Sequence, residues 1–256
     1  MAQPRFFLPA EAIDPASGVA LLADPRIVNQ IRRVLRLKAG DGIVVLDGRG
    51  QVYRCVLTSL GAAAVKAEVV GCEPAAAEPA ARIVVGLPLL KGDRFEWAIQ
   101  KLTELGAAEI VPLTSERTVV KGASQSRLPR WQMIAQEAAE QCERAAIPHI
   151  VSPVPLENLV TGPDTMSAFD LALLCAERRK APLLQTLLHS QCRAEGHGKN
   201  IFVAVGPEGG FSDREVAMAQ GSGMTAVSLG PRILRAETAA IYALSLLVGW
   251  LEESET

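Results

Sequence analysis

Residues 203–216, VAVGPEGGFSDREV, pass from an apolar run through a loop with three glycines and a proline into the start of a helix. Strand, glycine loop and helix in that order can cradle a phosphate on successive backbone N–H groups. Pro207 has no such N–H, and Glu208 places a negative charge where the phosphate would lie. The stretch also matches neither the GxxxxGK(S/T) nor the GxGxxG pattern. What it retains is a rigid Pro207, tight turning at Gly206, Gly209 and Gly210, and a carboxylate. These stand at the carboxyl end of a predicted strand, where open α/β sheets bind ligands. A ligand held by main-chain contacts, with positive charge nearby, suits the combination. Ser212 and Glu215 have the spacing of a capping box, so a plain strand-to-helix turn is the other reading.

One helix and one strand later the same order returns in VSLGPRILRAETAAIYAL (227–244). Arg232, Arg235 and Glu237 stand in a segment otherwise built for burial, and such residues are seldom buried unless paired or functional. Two loops of this type can form neighbouring walls of one pocket. An Arg235–Glu237 pair that fixes the helix start is the structural alternative.

The surrounding texture is strand and helix in alternation. IVVGLPLL (83–90), AEIVPL (108–113), LALLCA (171–176), IFVAV (201–205) and AVSLG (226–230) read as strands. Between them, RFEWAIQKLTELG is a helix with Phe95, Ile99 and Leu102 on its apolar face and Trp97 at the margin; Asp93 and Glu96 have capping-box spacing. RWQMIAQEAAEQCERAAI, a stretch around 181–192, a segment from Ser212 and the final apolar stretch supply further helices. This alternation predicts an α/β fold with a parallel sheet covered on both faces. Upstream, GIVVLDGRGQVYRCVLTSL and AVKAEVV form a β-rich unit with a hairpin at DGRG. The alanine- and proline-rich stretch CEPAAAEPAAR separates it from the rest. The expected organisation is a small β unit over 1–72, a linker over 73–82 and the α/β domain over 83–256.

Net charge is −2, which argues against a uniformly basic nucleic-acid binder. The distribution is uneven: residues 1–72 hold nine Lys/Arg against six Asp/Glu, and the remainder 17 against 22. A polyanion partner for the first segment follows from that imbalance, with ordinary charge scatter as the alternative. The five cysteines form no CxxC pair, which points to reduced thiols. The start MAQPRFFLPAEAIDP lacks a signal pattern, and the apolar run Ala239 to Leu251 is too short to span a bilayer. A soluble, cytoplasmic protein is expected. His149, His189 and His197 are isolated in sequence, and no metal site is expected.

At GPEGGFSDREV and LGPRILRAETA the chain resembles the bacterial small-subunit ribosomal RNA methyltransferases that modify uridine at N3, members of the SPOUT superfamily. The resemblance extends through RFFLP, RRVLRLKAGD (32–41), KLTELGAAEIVPLTSERT (101–118) and RWQMIAQEAAEQCERAAIP (130–148), and so covers most of the chain. It departs at Asn29 and Gln30, where the family often carries histidines, so no histidine role carries over there. The resemblance implies a PUA-like RNA-binding β-barrel followed by a trefoil-knotted SPOUT domain that binds S-adenosylmethionine, and a homodimer acting on ribosomal RNA of the small subunit. Composition and periodicity do not indicate a knot, which is nearly absent from ordinary folds. The final helix, apolar almost all round, fits burial at a subunit interface and burial within one subunit equally well.

Methylating uridine N3 means removing an imide proton and exposing the Watson–Crick edge of the base. On the implied activity, Gly206, Pro207, Glu208 and Gly209 form one cofactor wall, and Leu229, Gly230, Ile233 and Leu234 the other. Arg235 is the leading catalytic candidate, stabilising charge on the uracil carbonyls. Glu208 either balances the cofactor's positive charge or relays the proton. Arg5, Arg32, Arg33, Arg36 and Lys38 are candidates for phosphate contacts. Arg144 reaches the site, binds RNA phosphate or is a solvated helix end, and Cys175 to Glu177 border the cofactor in such a fold. Two other classes stay open: a non-catalytic RNA-binding or ribosome-assembly factor, and a nucleotide-dependent enzyme on a doubly wound sheet.

Overall fold

The computed structural model describes residues 3–14, 17–75, 78–120, 125–162, 166–177, 180–190 and 199–252. The chain divides into two compact units, one formed by Met1–Glu78 with Ala139–Ile147, the other by Pro79–Ala138 with Pro148–Thr256.

The first unit contains β1 (Arg5–Phe7), β2 (Ile13–Asp14), β3 (Val19–Leu22), α1 (Pro25–Asn29), β4 (Gly42–Leu46), β5 (Gln51–Leu60) and β6 (Val65–Pro74). The strands follow the order β1-β4-β5-β6-β3-β2 and are antiparallel except for β1 with β4. The hairpin at DGRG forms because the Asp47 carboxylate accepts the N–H groups of Arg49 and Gln51, closing the turn that puts Leu46 opposite Val52. One face buries Phe6, Leu22, Ile31, Ile43, Val45 and Leu57. On the other, Phe7, Val44, Leu46 and Val52 pack with Ala139 and Ala145, which joins residues 139–147 to this unit. In the stretch expected as a linker, β6 runs on through Pro74, and Glu78 is bound to Arg144.

The second unit is α/β, as the alternation predicts. Its strands are β7 (Arg82–Pro88), β8 (Glu109–Thr114), β9 (His149–Ile150), β10 (Val154–Pro155), β11 (Leu171–Cys175), β12 (Asn200–Val205) and β13 (Thr225–Val227). All pairings are parallel, in the order β10-β8-β7-β12-β11-β13, with β9 also on β8. The helices are α2 (Arg94–Glu104), α3 (Leu128–Gln141), α4 (Leu156–Thr161), α5 (Leu184–Ser190), α6 (Asp213–Gly221) and α7 (Ala236–Glu252). β12 is a continuous apolar run because it lies inside the sheet with both faces covered. Phe202, Ala204, Val84 and Leu174 pack under α4 and α6, while α7 lies against β7, β12, α2 and α5. Gly86 lets β7, β8 and β12 close up: a Cβ there would stand 2.7 Å from the Leu113 side chain and 3.1 Å from the Phe202 ring. Among the described residues, no helix is long and apolar enough to cross a membrane.

Two local expectations fail. Asp93 makes no side-chain cap on α2, because its backbone is already helical (φ −80°, ψ −2°) and the Glu96 carboxylate is bound by Arg130 instead. Trp97 is exposed, so the apolar face of α2 consists of Phe95, Ile99 and Leu102 with Ala98. The segment from β9 to α4 escapes periodicity because its strands have only two residues each.

Candidate active site

The loops at the carboxyl ends of β7, β8, β11, β12 and β13 lie on one edge of the parallel sheet. The loop after β12 is bound tightly. Pro207 and Phe211 are buried, and the Gly210 N–H donates to the Pro207 carbonyl at 2.7 Å. The capping box read from Ser212 and Glu215 is present in both directions. Glu215, buried, also accepts the Glu116 N–H at 2.9 Å and so ties this loop to the one after β8. From that second loop Arg117 donates to the Gly209 carbonyl at 2.9 Å, with its stem against Gly209, where a Cβ would be crowded. The Ser212 hydroxyl, then Arg214, hold the Glu116 carboxyl below its usual range.

The loop after β13 is held differently. Leu229 is buried and Ser228 bonds to Gly230, whose φ of +117° is open mainly to glycine. Pro231, Arg232, Ile233 and Arg235 are exposed, and Leu234 is half-buried. Arg235 forms no ion pair with a described residue. Glu237 is not its partner: the carboxylate lies instead 3.9 Å from Arg94, with a side chain 6% exposed. Its Oε2 is buried and has no hydrogen-bond donor among the described residues, which costs about 1–3 kcal/mol or more for a charged group. Arg94, at the start of α2, makes its close contact with Glu208 at 2.5 Å. That bond to Glu208 raises the guanidinium's pKa further.

A cleft of about 210 Å³ is lined by Arg117, Glu177, Glu208, Gly209, Gly210, Phe211, Asp213 and Ile233. It unites Glu208 and Gly209 from one predicted wall with Ile233 from the other. Gly206, Leu229, Gly230, Leu234 and Arg235 lie along the same two loops without lining it, and Pro207 and Glu208 face a separate small hollow with Leu89 and Val119. Glu177 does line the cleft, whereas Cys175, at the end of β11, is buried and its thiol is pushed up to about 12 by burial. Arg94 and Arg117 were not expected here: Arg117 stands three residues past the end of β8, a position that marks it, whereas Arg94 opens α2 and meets its partners only in the fold. The described residues contain no cluster of three His, Cys, Asp or Glu fit for a metal.

In the first unit Arg32, Arg33, Arg36 and Lys38 are exposed. Arg32 and Arg33 line a groove of about 400 Å³ with Pro25, Val28, Asn29, Ala62 and Ala63. Arg5 is paired with Glu143 at 3.0 Å. Arg144 stands apart from these cations. It is 4% exposed and its guanidinium is bound to Glu78 at 2.6 Å, while Glu78 also accepts the Ala146 N–H. Its charge is neutralised inside the unit, which removes the physical basis for an RNA-facing role.

Residues 77–248 match the model of an RNA methyltransferase domain, and residues 24–70 that of an RNA methyltransferase PUA domain. The chain is 40% identical to a ribosomal RNA small subunit methyltransferase E of Synechocystis sp. over 88% of its own length and 71% of the relative's. It is 33% identical to the protein of that name in Bacillus subtilis, over 86% of each chain. Among solved structures it is similar to a ribosomal RNA small subunit methyltransferase E from Neisseria gonorrhoeae bound to S-adenosyl methionine. That likeness has a TM-score of 0.76 and 31% identity, and covers 95% of this chain and 96% of the other.

Proposed function

The chain belongs to the RNA methyltransferase family, and on that premise we propose that it methylates N3 of a uridine in small-subunit ribosomal RNA, with S-adenosylmethionine as donor. The observation that carries this reading is the meeting of the GPEGG and GPRILR loops at one carboxylate-lined cleft, two residues from the unpaired Arg235. The donor set fits a cationic ligand: Glu177 and Glu208 both line the cleft, and Pro207 withholds the N–H that a phosphate would need. When bound, S-adenosylmethionine supplies an electrophilic methyl group. Gly206, Pro207, Glu208 and Gly209 would hold it from one side, and Leu229, Gly230, Ile233 and Leu234 from the other.

Loss of the N3 proton leaves negative charge on the uracil carbonyls. Arg235, exposed and uncommitted, offers its guanidinium donors to that charge. Glu208 supplies counter-charge or accepts the proton. The first unit acts as the PUA-like RNA holder, with Arg5, Arg32, Arg33, Arg36 and Lys38 contacting phosphates and reading no sequence. The reading includes a trefoil-knotted backbone. It also includes a homodimer working in the cytoplasm. Trp97 on α2 and Tyr242 on α7, exposed on two helices that pack together, offer apolar surface to a second copy.

Mass-spectrometric mapping of ribosomal RNA from cells with and without the gene tests the assignment. One methyl group is expected to vanish from a uridine of the small-subunit RNA when the gene is deleted. An identical methylation map overturns it.

A further inference from the structure

Glu237 is an acidic side chain that the reaction outlined above does not use. One carboxylate oxygen is buried without a donor, and the other is 3.9 Å from Nη1 of Arg94. Arg94, one-third exposed, gives its close bond to Glu208, which is half-exposed. A guanidinium thus bridges an open carboxylate and a buried one, where the start of α2, the loop after β12 and the head of α7 meet. Two carboxylates and one guanidinium leave a net negative charge, and one of the acceptors still lacks a hydrogen.

The complement to such a group is an α-amino acid. An ammonium carries three N–H donors for the vacant oxygen of Glu237, and a carboxylate matches the planar fork of Arg94. A phosphate would face two carboxylates, and a ribose hydroxyl would leave the net charge unanswered. An amino acid joined to a sulfonium carries one net positive charge, which balances the trio.

We propose that Glu237 and Arg94, with Glu208, recognise the methionine end of S-adenosylmethionine. Glu237 accepts its α-ammonium, and Arg94 exchanges Glu208 for its α-carboxylate. The inference rests on the methyl-donor reading above and adds to it two binding residues outside both loop walls.

Calorimetry on the full chain with three probes tests it. S-adenosylhomocysteine carries both charged groups, S-adenosyl-3-thiopropylamine only the amine, and methylthioadenosine neither. Glu237→Gln is expected to weaken the first two roughly tenfold or more and to leave methylthioadenosine within about twofold. Arg94→Met is expected to weaken S-adenosylhomocysteine alone. Equal losses on all three probes, or no loss on any, overturn the proposal while leaving the methyl-donor reading intact. A wild-type chain that binds none of the three removes that reading, and the proposal with it. Should Glu237→Gln fail to fold, Arg94→Met decides the matter, since methylthioadenosine binding reports that its cleft is intact.

Discussion

The loops after β12 and β13 share a Gly-Pro start and a strand-to-helix setting, yet they are fastened in opposite ways. The first is tied to another segment: Arg117 donates to the Gly209 carbonyl, and Glu215 accepts the Glu116 N–H. The second keeps Leu229 inside and leaves Pro231, Arg232, Ile233 and Arg235 in solvent. One wall is built before any ligand arrives, and its geometry is part of the fold. The other holds its chemistry in reserve, with side chains that ordering on a ligand or a second chain would fix. Rigid placement serves cofactor positioning, whereas a free cation serves charge that develops only during reaction.

Four measurements test whether the two loops differ in this way. Arg235→Ala should lower methyl transfer on the order of 100- to 1,000-fold, as loss of one stabilising donor does. Its S-adenosylmethionine affinity should stay within about twofold; single-turnover assays on undermethylated RNA with calorimetry check both, and full activity removes Arg235 from the mechanism. Glu215→Ala should cost about 1–3 kcal/mol in urea unfolding, because it strands the buried Ser212 N–H and frees the part-buried Glu116 N–H. A cost near zero would mean that the first loop is not held as described.

The ground between the loops is tested by pH. Cys175, on the strand that separates β12 from β13, has its thiol raised from 9.0 to about 12 by burial. Between those values the unfolded thiol ionises and the folded one does not, so its stabilising contribution is whole below pH 9.0 and is lost as pH rises toward about 12. By pH 10 the loss from this group is on the order of 1 kcal/mol, and Cys175→Ala should flatten the decline by a similar amount. A parallel decline in both proteins would show that the strand end is wet. Smallest of all, Ile233→Ser should change unfolding free energy by less than about 0.5 kcal/mol while altering S-adenosylmethionine affinity. A large loss of stability would show that the second loop is structural after all.

What was legible in the chain follows the range of each interaction. Ser212 with Glu215 is a contact within one turn, and spacing was enough to find it. Asp93 with Glu96 has the same spacing and no cap, because Arg130 from another helix takes the glutamate. Arg144, a candidate for RNA contact with a solvated helix end as the alternative, is held by Glu78, far upstream in the chain. The parallel sheet was visible because buried strands such as IFVAV (201–205) advertise themselves as unbroken apolar runs. Arg94 was not, since nothing near it in sequence announces that Glu208 and Glu237 will come to it.

The pairing of β7 with β12 sets residue 82 beside residue 200, so the middle of the sheet closes only after most of the second unit has been made. Contacts this distant along the chain carry a large loop-closure cost and slow folding. Because Arg117, Glu177, Glu208 and Ile233, which line the cleft, belong to segments spread from residue 117 to residue 233, no short fragment of the unit can assemble it. Newly made chains should therefore acquire ligand binding late and all at once, after β12 and the loops beyond it have been made.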